Sequence, residues 1–325
     1  MSDFMDIFRH KDCVVGLSPM DDVTDMPFRQ LCKEMGADLL ITEFIASEAL
    51  NRDAEKSLRK MAFSPEQRPI GVQIFGANED ELLRCLEVVE QVEPDFIDIN
   101  WGCPVRKVAG RGAGSGILND IPKMLRITSM MVKKATIPVT VKTRIAYSAE
   151  SMPITDFAEA LQDTGIAALS IHGRTKSQMY SGKADWSVIG RVKSNPRITI
   201  PVLGNGDIDS GSQVVESKRC YGVDGVLIGR AAIGNPWIFE QSQRALRGLP
   251  EREITVDERV GVCKRHLRLS AEFKGERATV FEMRKHYGNY FKGLHNFKPF
   301  RLALVSTQTV ADTERVLDSI VDAYV

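Results

Sequence analysis

The sequence lacks several features that define common classes of protein. Its six cysteines are spread over 325 residues without a CxxC pair, which argues against a disulfide framework or a zinc site. No run of about 18 apolar residues occurs, so we expect no membrane-spanning helix. The polar start, MSDFMDIFRHKD, has neither the basic nor the apolar region of a secretory signal. These absences predict a cytoplasmic protein that binds no metal and no membrane.

An excess of charge of one sign is also lacking. The 43 Lys and Arg balance 43 Asp and Glu, and because phosphate binding depends mostly on Lys and Arg, this balance argues at first against a nucleic acid partner. With 43% hydrophobic and 26% charged residues, the chain has the composition of a folded globular protein. Its length suits one large barrel with an appendage or two ordinary domains.

Short apolar runs alternate with longer amphipathic segments as far as about residue 237. Eight runs have strand character: 14–19, 38–45, 69–75, 95–100, 137–143, 167–172, 198–204 and 224–229. Helical patterns at 79–92, 121–134 and 154–164 lie between them. Continuous apolar runs are typical of parallel strands buried on both faces, and eight strand–helix units predict a (β/α)8 TIM barrel. An open doubly wound sheet is the alternative, but its GxGxxG turn after the first strand is missing.

The end of the chain has a different pattern. It contains no convincing strand run and has helical stretches at 257–274, 277–292 and 299–323. The Gly248-Leu249-Pro250 segment interrupts the helical pattern before them. We therefore predict a barrel domain at residues 1–245 and an all-helical domain at 246–325, in a chain that acts as a monomer.

Polar residues stand at the end of almost every predicted strand, where a TIM barrel places its functional groups. These sets are Ser18-Pro19-Met20-Asp21-Asp22, Gln73, Asn100-Trp101-Gly102-Cys103-Pro104, Lys142 with Arg144, His172-Gly173-Arg174, Gly204-Asn205-Gly206-Asp207 and Gly229-Arg230. Taken singly, each set has a structural explanation, such as a core ion pair or a turn. Seven sets around one rim favour a polar ligand, because buried polar groups are costly without partners.

The last two sets indicate what this ligand is. The loops after strands seven and eight of such barrels often bind a phosphate, and the glycines with Arg230 suit one. Asn235 as N-cap and Pro236 as first helical residue would add a helix N-terminus to the phosphate site. Lys142 and Gln73 are placed to meet a flat heterocycle. Flavin mononucleotide (FMN) therefore fits better than a bare sugar phosphate.

Cys103 is the cysteine that stands apart. Most free cysteines are small buried hydrophobes, and we interpret the other five in that way. Cys103 lies between a glycine and a proline at the start of a glycine-rich loop, near Arg106, Lys107 and Arg111. A thiol there can act as nucleophile or as general acid, and nearby cations would tune its pKa.

Several motifs, taken together, resemble the tRNA-dihydrouridine synthases, and the B-type bacterial branch especially. The defining stretch is FIDINWGCPVRKVAGRGAGSGIL at 96–118. The others follow in family order: SPMDDVTDMPFR (18–29), VTVKTR (139–144), IHGRTKSQMYSGKADW (171–186), GNGDI (204–208), IGRAAIGNPWIF (228–239) and, in the tail, MRKHYGNYFKG (283–293). The chain departs from the family at Ala146-Tyr147, commonly Gly-Trp or Gly-Tyr, and has a bulky Trp101 at a variable position. Both departures are expected to affect base or tRNA contacts.

The resemblance implies a flavoenzyme that reduces specific uridines in the tRNA D-loop with electrons from NADPH. Hydride would pass from the flavin to C6 of the uracil, and Cys103 would protonate C5 from the opposite face. Asn100, Arg144 and Arg174 are candidates for holding the flipped base. The residues implied to bind FMN are Pro19, Met20, Asp21, Gln73, Lys142, His172, Asn205, Gly206, Asp207, Gly229 and Arg230.

Other functions stay open at this point. A flavin oxidoreductase of a small pyrimidine, similar to dihydroorotate dehydrogenases, would use the same barrel without a basic tail. A phosphosugar isomerase or lyase would use Lys142 for Schiff-base or acid–base chemistry. An RNA-binding protein on a barrel scaffold would need no catalysis, although Cys103 and the phosphate turn are present.

The zero net charge conceals a basic region. Residues 259–301 contain eleven Lys and Arg against three Glu, a net charge of +8. Aromatic residues are interleaved with these charges: His286, Tyr287, Tyr290 and Phe291. The pattern is typical of a surface that binds a phosphate backbone. We therefore expect tRNA to contact Arg284, Lys285 and Lys292.

Overall fold

The computed structural model describes residues 4–50, 52 and 55–325, and its centre is a parallel sheet. The strands are β1 (Val14–Leu17), β2 (Leu40–Ile41), β3 (Ile45–Ala46), β4 (Ile70–Phe75), β5 (Phe96–Trp101), β6 (Val139–Arg144), β7 (Ala168–His172), β8 (Val202–Asn205) and β9 (Gly225–Ile228). They pair in the order β1-β9-β8-β7-β6-β5-β4-β2, with β3 also beside β4. Backbone bonds from Leu17 N to Leu39 O (2.9 Å) and from Asp38 N to Val15 O (2.8 Å) close the ring. The predicted TIM barrel is confirmed.

The second predicted strand, 38–45, is the one that the structure divides. β2 and β3 are separated because the Thr42 hydroxyl, rather than a backbone carbonyl, accepts the hydrogen bond from Gln73 N, at 3.0 Å. The Glu43 carboxylate turns toward the first loop, where it accepts from Asp22 N at 2.7 Å. The divided strand therefore brings an acidic side chain to the rim of the barrel.

Within the described residues, eleven helices accompany the strands. They are α1 (Asp6–His10), α2 (Met26–Glu34), α3 (Ser47–Leu50), α4 (Glu55–Met61), α5 (Glu79–Glu90), α6 (Arg106–Ala109), α7 (Ile121–Lys134), α8 (Ile154–Gln162), α9 (Trp186–Lys193), α10 (Gly211–Tyr221) and α11 (Trp237–Leu246), with 3-10 turns at Pro65–Gln67, Gly114–Asn119 and Arg230–Ala232. Asp25, Asn78 and Asp120 cap α2, α5 and α7 by accepting a backbone N–H of the first turn. The predicted helices at 79–92, 121–134 and 154–164 are confirmed as α5, α7 and α8.

The N-terminal end of the barrel is filled with apolar side chains. Phe96 points into the barrel so tightly that a Cβ on Gly71 would lie 2.2 Å from its ring. Phe4 stacks on Phe96 from outside, with ring centres 4.3 Å apart. The same cluster includes Leu203 and Leu227 from β8 and β9. The barrel is therefore closed below, and its polar residues face the other end.

Four helices form the C-terminal part: α12 (Val256–Lys274), α13 (Glu276–Tyr290), α14 (Lys298–Ser306) and α15 (Val310–Tyr324). The helical stretch predicted at 299–323 consists of two helices, α14 and α15. Thr309 begins a new helix by accepting a hydrogen bond from Asp312 N, at 3.0 Å. These helices have a core cluster of their own, which Trp237 of α11 joins. The division at residues 245 and 246 stays a prediction. Among the described helices, none combines the length and the apolar character that crossing a bilayer requires.

A polar and aromatic contact joins the helical part to the barrel. Phe28 of α2 packs against His266 and His286, with ring centres 5.4 and 5.2 Å away. Beside it, Lys274 of α12 forms an ion pair with Asp25. Burial would raise the pKa of Asp25, but Lys274 and its other partners hold it below the ordinary value. The contact fixes α13 at the edge of the barrel opening.

Candidate active site

A cavity of about 1470 Å³ occupies the C-terminal end of the barrel. It is lined by the strand ends and loops and by Asn289, Tyr290 and Lys292 from the helical part. Every barrel residue predicted for the site lies on it: Pro19, Met20, Asp21, Gln73, Asn100, Cys103, Lys142, Arg144, His172, Arg174, Asn205, Gly206, Asp207, Gly229 and Arg230. The structure thus brings the predicted barrel residues together, and their roles stay to be tested.

A chain of buried hydrogen bonds forms the floor of the cavity. Gln73 Nε2 donates to Asp98 Oδ2 at 2.6 Å, and Asn100 Nδ2 donates to Gln73 Oε1 at 2.9 Å. Thr140 Oγ1 donates to the other Asp98 oxygen at 2.5 Å. Burial raises the pKa of Asp98 to about 6, although the bonds from Gln73 and Thr140 lower it. Because both bonds need an acceptor, the Asp98 carboxylate sets the orientation of the Gln73 amide.

Lys142 is a half-buried cation above this floor. Its Nζ donates to Asn205 Oδ1 at 3.0 Å, and Asn205 Nδ2 donates to Leu227 O at 2.7 Å. Burial lowers the pKa of Lys142 to about 8; Arg144 lowers it further, and Asp98 opposes the shift. The ammonium therefore stays protonated at neutral pH and has donors left for a ligand.

Cys103 lies just beyond β5, where its backbone is held on both sides. Cys103 N donates to Asn100 Oδ1 at 2.8 Å, and Cys103 O accepts from Ser115 N at 3.0 Å and from Ser115 Oγ at 2.8 Å. The glycine-rich loop passes so close that a Cβ on Gly114, at φ +51°, would lie 2.9 Å from Cys103 O. The position of this thiol is therefore set by its backbone.

The ionisation of Cys103 differs from the sequence-based expectation. Burial raises the pKa of the thiol, and Arg144 and Lys142 only partly oppose that rise. The cations expected to act on it, Arg106, Lys107 and Arg111, are exposed side chains. These three residues are close to Cys103 in sequence but point away from its thiol, because α6 turns away from the cavity. The thiol is protonated at neutral pH, which suits a general acid better than a nucleophile.

Two arginines hold the loop after β7 over the cavity. Arg144 donates to the carbonyls of Gly102, Thr175 and Met179 at 2.8 Å each. Arg174 donates to Ser181 O at 3.1 Å and to Gly182 O at 2.6 Å. Most donors of these guanidinium groups are thus already used, and their evident role is to fix the loop.

His172 is a neutral group in this site. Its burial, followed by the nearby cations Lys142, Arg144, Arg174 and Arg230, lowers its pKa to about 2. Arg174 Nη1 lies 3.4 Å from His172 Nε2. Because a guanidinium can only donate, Nε2 is the acceptor and Nδ1 carries the proton. His172 can therefore donate a hydrogen bond without carrying charge.

The end of the cavity beside β8 and β9 is built for close approach of a ligand. Gly206 has φ +120°, and a Cβ there would lie 2.7 Å from Ala184. A Cβ on Gly229 would meet no atom nearer than 3.7 Å, so space remains beside this backbone. Arg230 stands at the rim, and Asp207 Oδ1 lies 3.4 Å from it. The accessible backbone at Gly229 and the guanidinium of Arg230 could donate hydrogen bonds to a phosphate.

The expected helix cap at this end was wrong. The helix begins at Trp237, with Pro236 in the capping position and no side-chain cap. Asn235 instead donates its side-chain amide to Ala231 O at 3.1 Å. The 3-10 turn at Arg230–Ala232 lies between β9 and this helix. The chain therefore does not enter the helix at Asn235, as the sequence pattern suggested.

The first loop carries an acidic cluster that Lys60 partly neutralises. The carboxylates of Asp21, Asp22 and Glu43 lie within 4.8 Å of one another. Lys60 forms ion pairs with Asp21 and with Glu43, the latter at 3.5 Å. Asp21 therefore offers a ligand its backbone more readily than its carboxylate.

The three tail residues predicted to contact tRNA have different surroundings. Lys292 lines the barrel cavity, whereas Lys285 donates to the carbonyl of Asp22 at its rim. Arg284 lies in a second cavity on the helical part. The aromatic residues interleaved with them are buried, at no more than 3% exposure: His286, Tyr287, Tyr290 and Phe291. Their interpretation as part of an RNA surface was wrong, because they form the core of the helical part.

The two departures from the family pattern lie at different depths. Trp101 is fully buried and donates its indole N–H to Thr128 Oγ1 of α7, at 3.1 Å. It faces the helices, so the expected effect on base contacts is not supported. Tyr147 lies beneath Lys176, whose Nζ is 4.5 Å from the ring centre.

Sequence reasoning missed two members of the site. Asp98 belongs to the run FIDINW of β5, where the period of two places it on the same face as Asn100. This alternation could have identified Asp98 as an inward-facing residue from the sequence. Tyr180 lies on the cavity with its ring 5.7 Å from the Arg144 guanidinium and 5.2 Å from that of Arg230. Its position depends on the fold of the β7 loop, which no local pattern indicated.

Comparison with known sequences gives a consistent result. A model of the family described as dihydrouridine synthase (Dus) matches residues 16–324. The tRNA-dihydrouridine synthase B of Xanthomonas campestris pv. campestris is 38% identical over 298 residues, covering 90% of this chain and 88% of that protein. The protein of the same name from Pseudomonas aeruginosa is 35% identical, covering 88% and 86%.

Among solved structures, the histamine dehydrogenase from Rhizobium sp. 4-9 is similar with a TM-score of 0.56 at 12% identity. The match covers 79% of this chain, which spans 49% of that dehydrogenase, and it supports the barrel fold alone. The sequence matches extend over both the barrel and the helical part and confirm the resemblance found in the motifs. The chain belongs to the dihydrouridine synthase family.

Proposed function

We propose that this protein is a tRNA-dihydrouridine synthase that reduces the C5=C6 bond of specific uridines in the tRNA D-loop to 5,6-dihydrouridine. The observation that carries the proposal is the protonated, rigidly held thiol of Cys103 on a cavity that also contains the Lys142 ammonium. That cavity extends onto Lys292 of the basic helical part. The relatives named tRNA-dihydrouridine synthase B support the substrate. A cytoplasmic monomer would suffice for this activity.

We propose FMN as the resident cofactor and NADPH as its transient reductant. The donor set fits: Lys142 and Gln73 for a flat heterocycle, neutral His172 beside them, and the backbone near Gly206 with Arg230 for a phosphate. Bound FMN would supply the hydride for C6. The remaining residues that would line its site are Pro19, Met20, Asp21, Asn205, Asp207 and Gly229.

Cys103 would supply the proton. A proton delivered to carbon needs an acid whose position is fixed and whose proton is retained until the reaction. Burial keeps the Cys103 thiol protonated, and Asn100 and Ser115 hold its backbone. We therefore propose Cys103 as the general acid for C5 of a base that has been lifted out of the RNA stack.

The residues proposed to hold the flipped base would act mainly by keeping their part of the cavity rigid. Asn100 is bonded to Gln73 and to the backbone of Cys103. Arg144 and Arg174 hold the β7 loop by its carbonyls. We propose that the flipped uracil is enclosed between this loop and Cys103.

Reduction of unmodified tRNA is the decisive experiment. Purified protein, NADPH and a tRNA transcript should yield 5,6-dihydrouridine on nucleoside analysis, and the protein should be yellow from bound flavin. A parallel reaction with free uridine should give no product. Product from free pyrimidines alone would contradict the proposal and favour the small-molecule oxidoreductase. A colourless protein without either product would exclude both.

Asp98→Asn is expected to retain FMN and to lower the rate of dihydrouridine formation about tenfold, since a hydrogen bond to a charged group is worth about 1.5 kcal/mol or more. Asp98 raises the pKa of Lys142, so its loss moves that pKa further below about 8. The protonated ammonium exists below this pKa, and the rate should therefore decline at a lower pH than in the wild type. A rate profile from about pH 6 to 9 measures the shift.

Thr140→Val is the matched control for that variant. It removes the other hydrogen bond to Asp98, and the carboxylate stays charged in the alkaline range where Lys142 titrates. Its alkaline decline should stay near that of the wild type. Superimposable profiles for Asp98→Asn and the wild type would show that Asp98 does not act on Lys142.

A further inference from the structure

The exposed face of α13 connects the barrel cavity to a second cavity of about 680 Å³. Asn289 lines the first cavity, and Phe281 and Arg284 line the second. Phe281, Arg284 and Lys285 follow the helical spacing of a single face. At 1.5 Å per residue, Phe281 and Asn289 are about 12 Å apart along the axis. An extended ligand leaving the barrel cavity along α13 would reach Phe281.

Phe281 is an aromatic side chain presented to solvent. It is 69% exposed, whereas the other aromatic residues of α13, Tyr287 and Tyr290, are buried. The guanidinium carbon of Arg284 lies 5.3 Å from the centre of the Phe281 ring. This cation–π contact orients the ring and leaves much of it accessible.

Three cations line the second cavity, Lys274, Arg277 and Arg284, and among the described residues only Lys274 has a carboxylate partner. Among the described residues, six cations of the helical part have carboxylate partners: Arg252 with Glu240 and Glu258, Lys264 with Asp318, Arg265 with Glu34, Arg268 with Glu314, Lys274 with Asp25, and Arg315 with Asp312. Within the part of the chain that the structure describes, Arg277 and Arg284 have none. Arg284 Nε is buried there without any acceptor. Glu276 also lines this cavity, where its carboxylate accepts a hydrogen bond from Val310 N at 2.8 Å. The second cavity therefore combines an exposed ring with two guanidinium groups that lack a carboxylate partner among the described residues.

An exposed aromatic ring beside free guanidinium groups is suited to unpaired nucleic acid. Bases stack on such rings, and the cations pair with phosphates. An acidic peptide would use the arginines but would gain little from the ring. Resting on the proposed function, we infer that the second cavity holds an unpaired nucleotide of the same tRNA whose uridine enters the barrel. Its base stacks on Phe281, and its phosphate lies between Arg277 and Arg284.

Phe281→Ala should raise the KM for an unmodified tRNA transcript about 5- to 10-fold, the lower end of what stacking of one base contributes. The kcat and the rate of NADPH oxidation without tRNA should not change. Phe281→Trp should restore the wild-type KM, because indole also stacks. Leu302→Ala is the matched control: Leu302 is 57% exposed and lines neither cavity.

Arg284→Gln should weaken tRNA binding and reduce its salt dependence by about one phosphate contact. A loss with Arg284→Gln and none with Phe281→Ala would indicate an acidic partner and overturn the stacking. An equal loss with Leu302→Ala would also overturn it. If the wild type reduces tRNA and Phe281→Ala has the same KM, the inference alone fails. If the wild type neither binds nor reduces tRNA, the inference fails together with the proposed function.

Discussion

Cys103→Ala should lower the rate of dihydrouridine formation by about 10²- to 10⁴-fold, the usual contribution of a positioned general acid. The substitution removes one sulfur atom and leaves the backbone bonds of Cys103 to Asn100 and Ser115 in place. The cofactor site on the floor should therefore be preserved. Single-turnover reaction of the pre-reduced enzyme with tRNA, followed by nucleoside analysis, isolates the step that needs the proton.

Two controls distinguish the loss of the general acid from other effects of removing a cysteine. Cys220→Ala removes an exposed cysteine of α10 and should leave the rate unchanged. Reduction of the bound flavin by NADPH should proceed in Cys103→Ala as in the wild type, since the thiol acts only on the base. A Cys103→Ala enzyme that forms dihydrouridine at the wild-type rate would refute the assignment of Cys103 as the acid.

Lys142→Met should weaken FMN binding about 10- to 100-fold, because a hydrogen bond from a charged donor is worth about 1.5–3 kcal/mol. The wild-type affinity should itself decline as the pH rises through about 8, the pKa of Lys142. The sign follows from the lowered pKa: the protonated donor is present below it and is lost above it. Flavin fluorescence titration of the apoprotein at several pH values measures both effects.

Lys142→Gln is the informative companion. Glutamine retains a hydrogen-bond donor and does not titrate, so its affinity should lie between those of the wild type and Lys142→Met. Neither variant should show the decline near pH 8. If that decline persists in Lys142→Met, another group is responsible and Lys142 is not the residue that titrates.

Much of the barrel and of its site follows from the order of residue types along the chain. In a parallel barrel all strands end at the same rim, so a polar residue after each apolar run necessarily faces the same cavity. Gln73 and Lys142 were predictable in this way, because a polar group inside an apolar run marks the inward face. Asp98 obeys the same rule through its parity with Asn100.

Other parts depend on contacts between distant segments. Arg144 contacts the carbonyls of Thr175 and Met179, about thirty residues further along the chain, and no local pattern shows that its donors are occupied. Cys103 has a raised pKa because of burial, whereas the charged neighbours in sequence suggested a tuned thiol. The helical part shows the same limit: His286 and Tyr290 belong to the buried face of α13, and only its packing distinguishes that face from the one with Phe281.

The packing of Phe4 on Phe96 at the base of the barrel has a kinetic consequence. A tube sealed at one end makes every molecule that reaches its interior enter and leave by the same opening. The electron donor and the RNA would then have to visit in turn, each departing before the other arrives. The packed rings of Phe4 and Phe96 would therefore set the order of binding, although they lie at the opposite end of the barrel from Cys103.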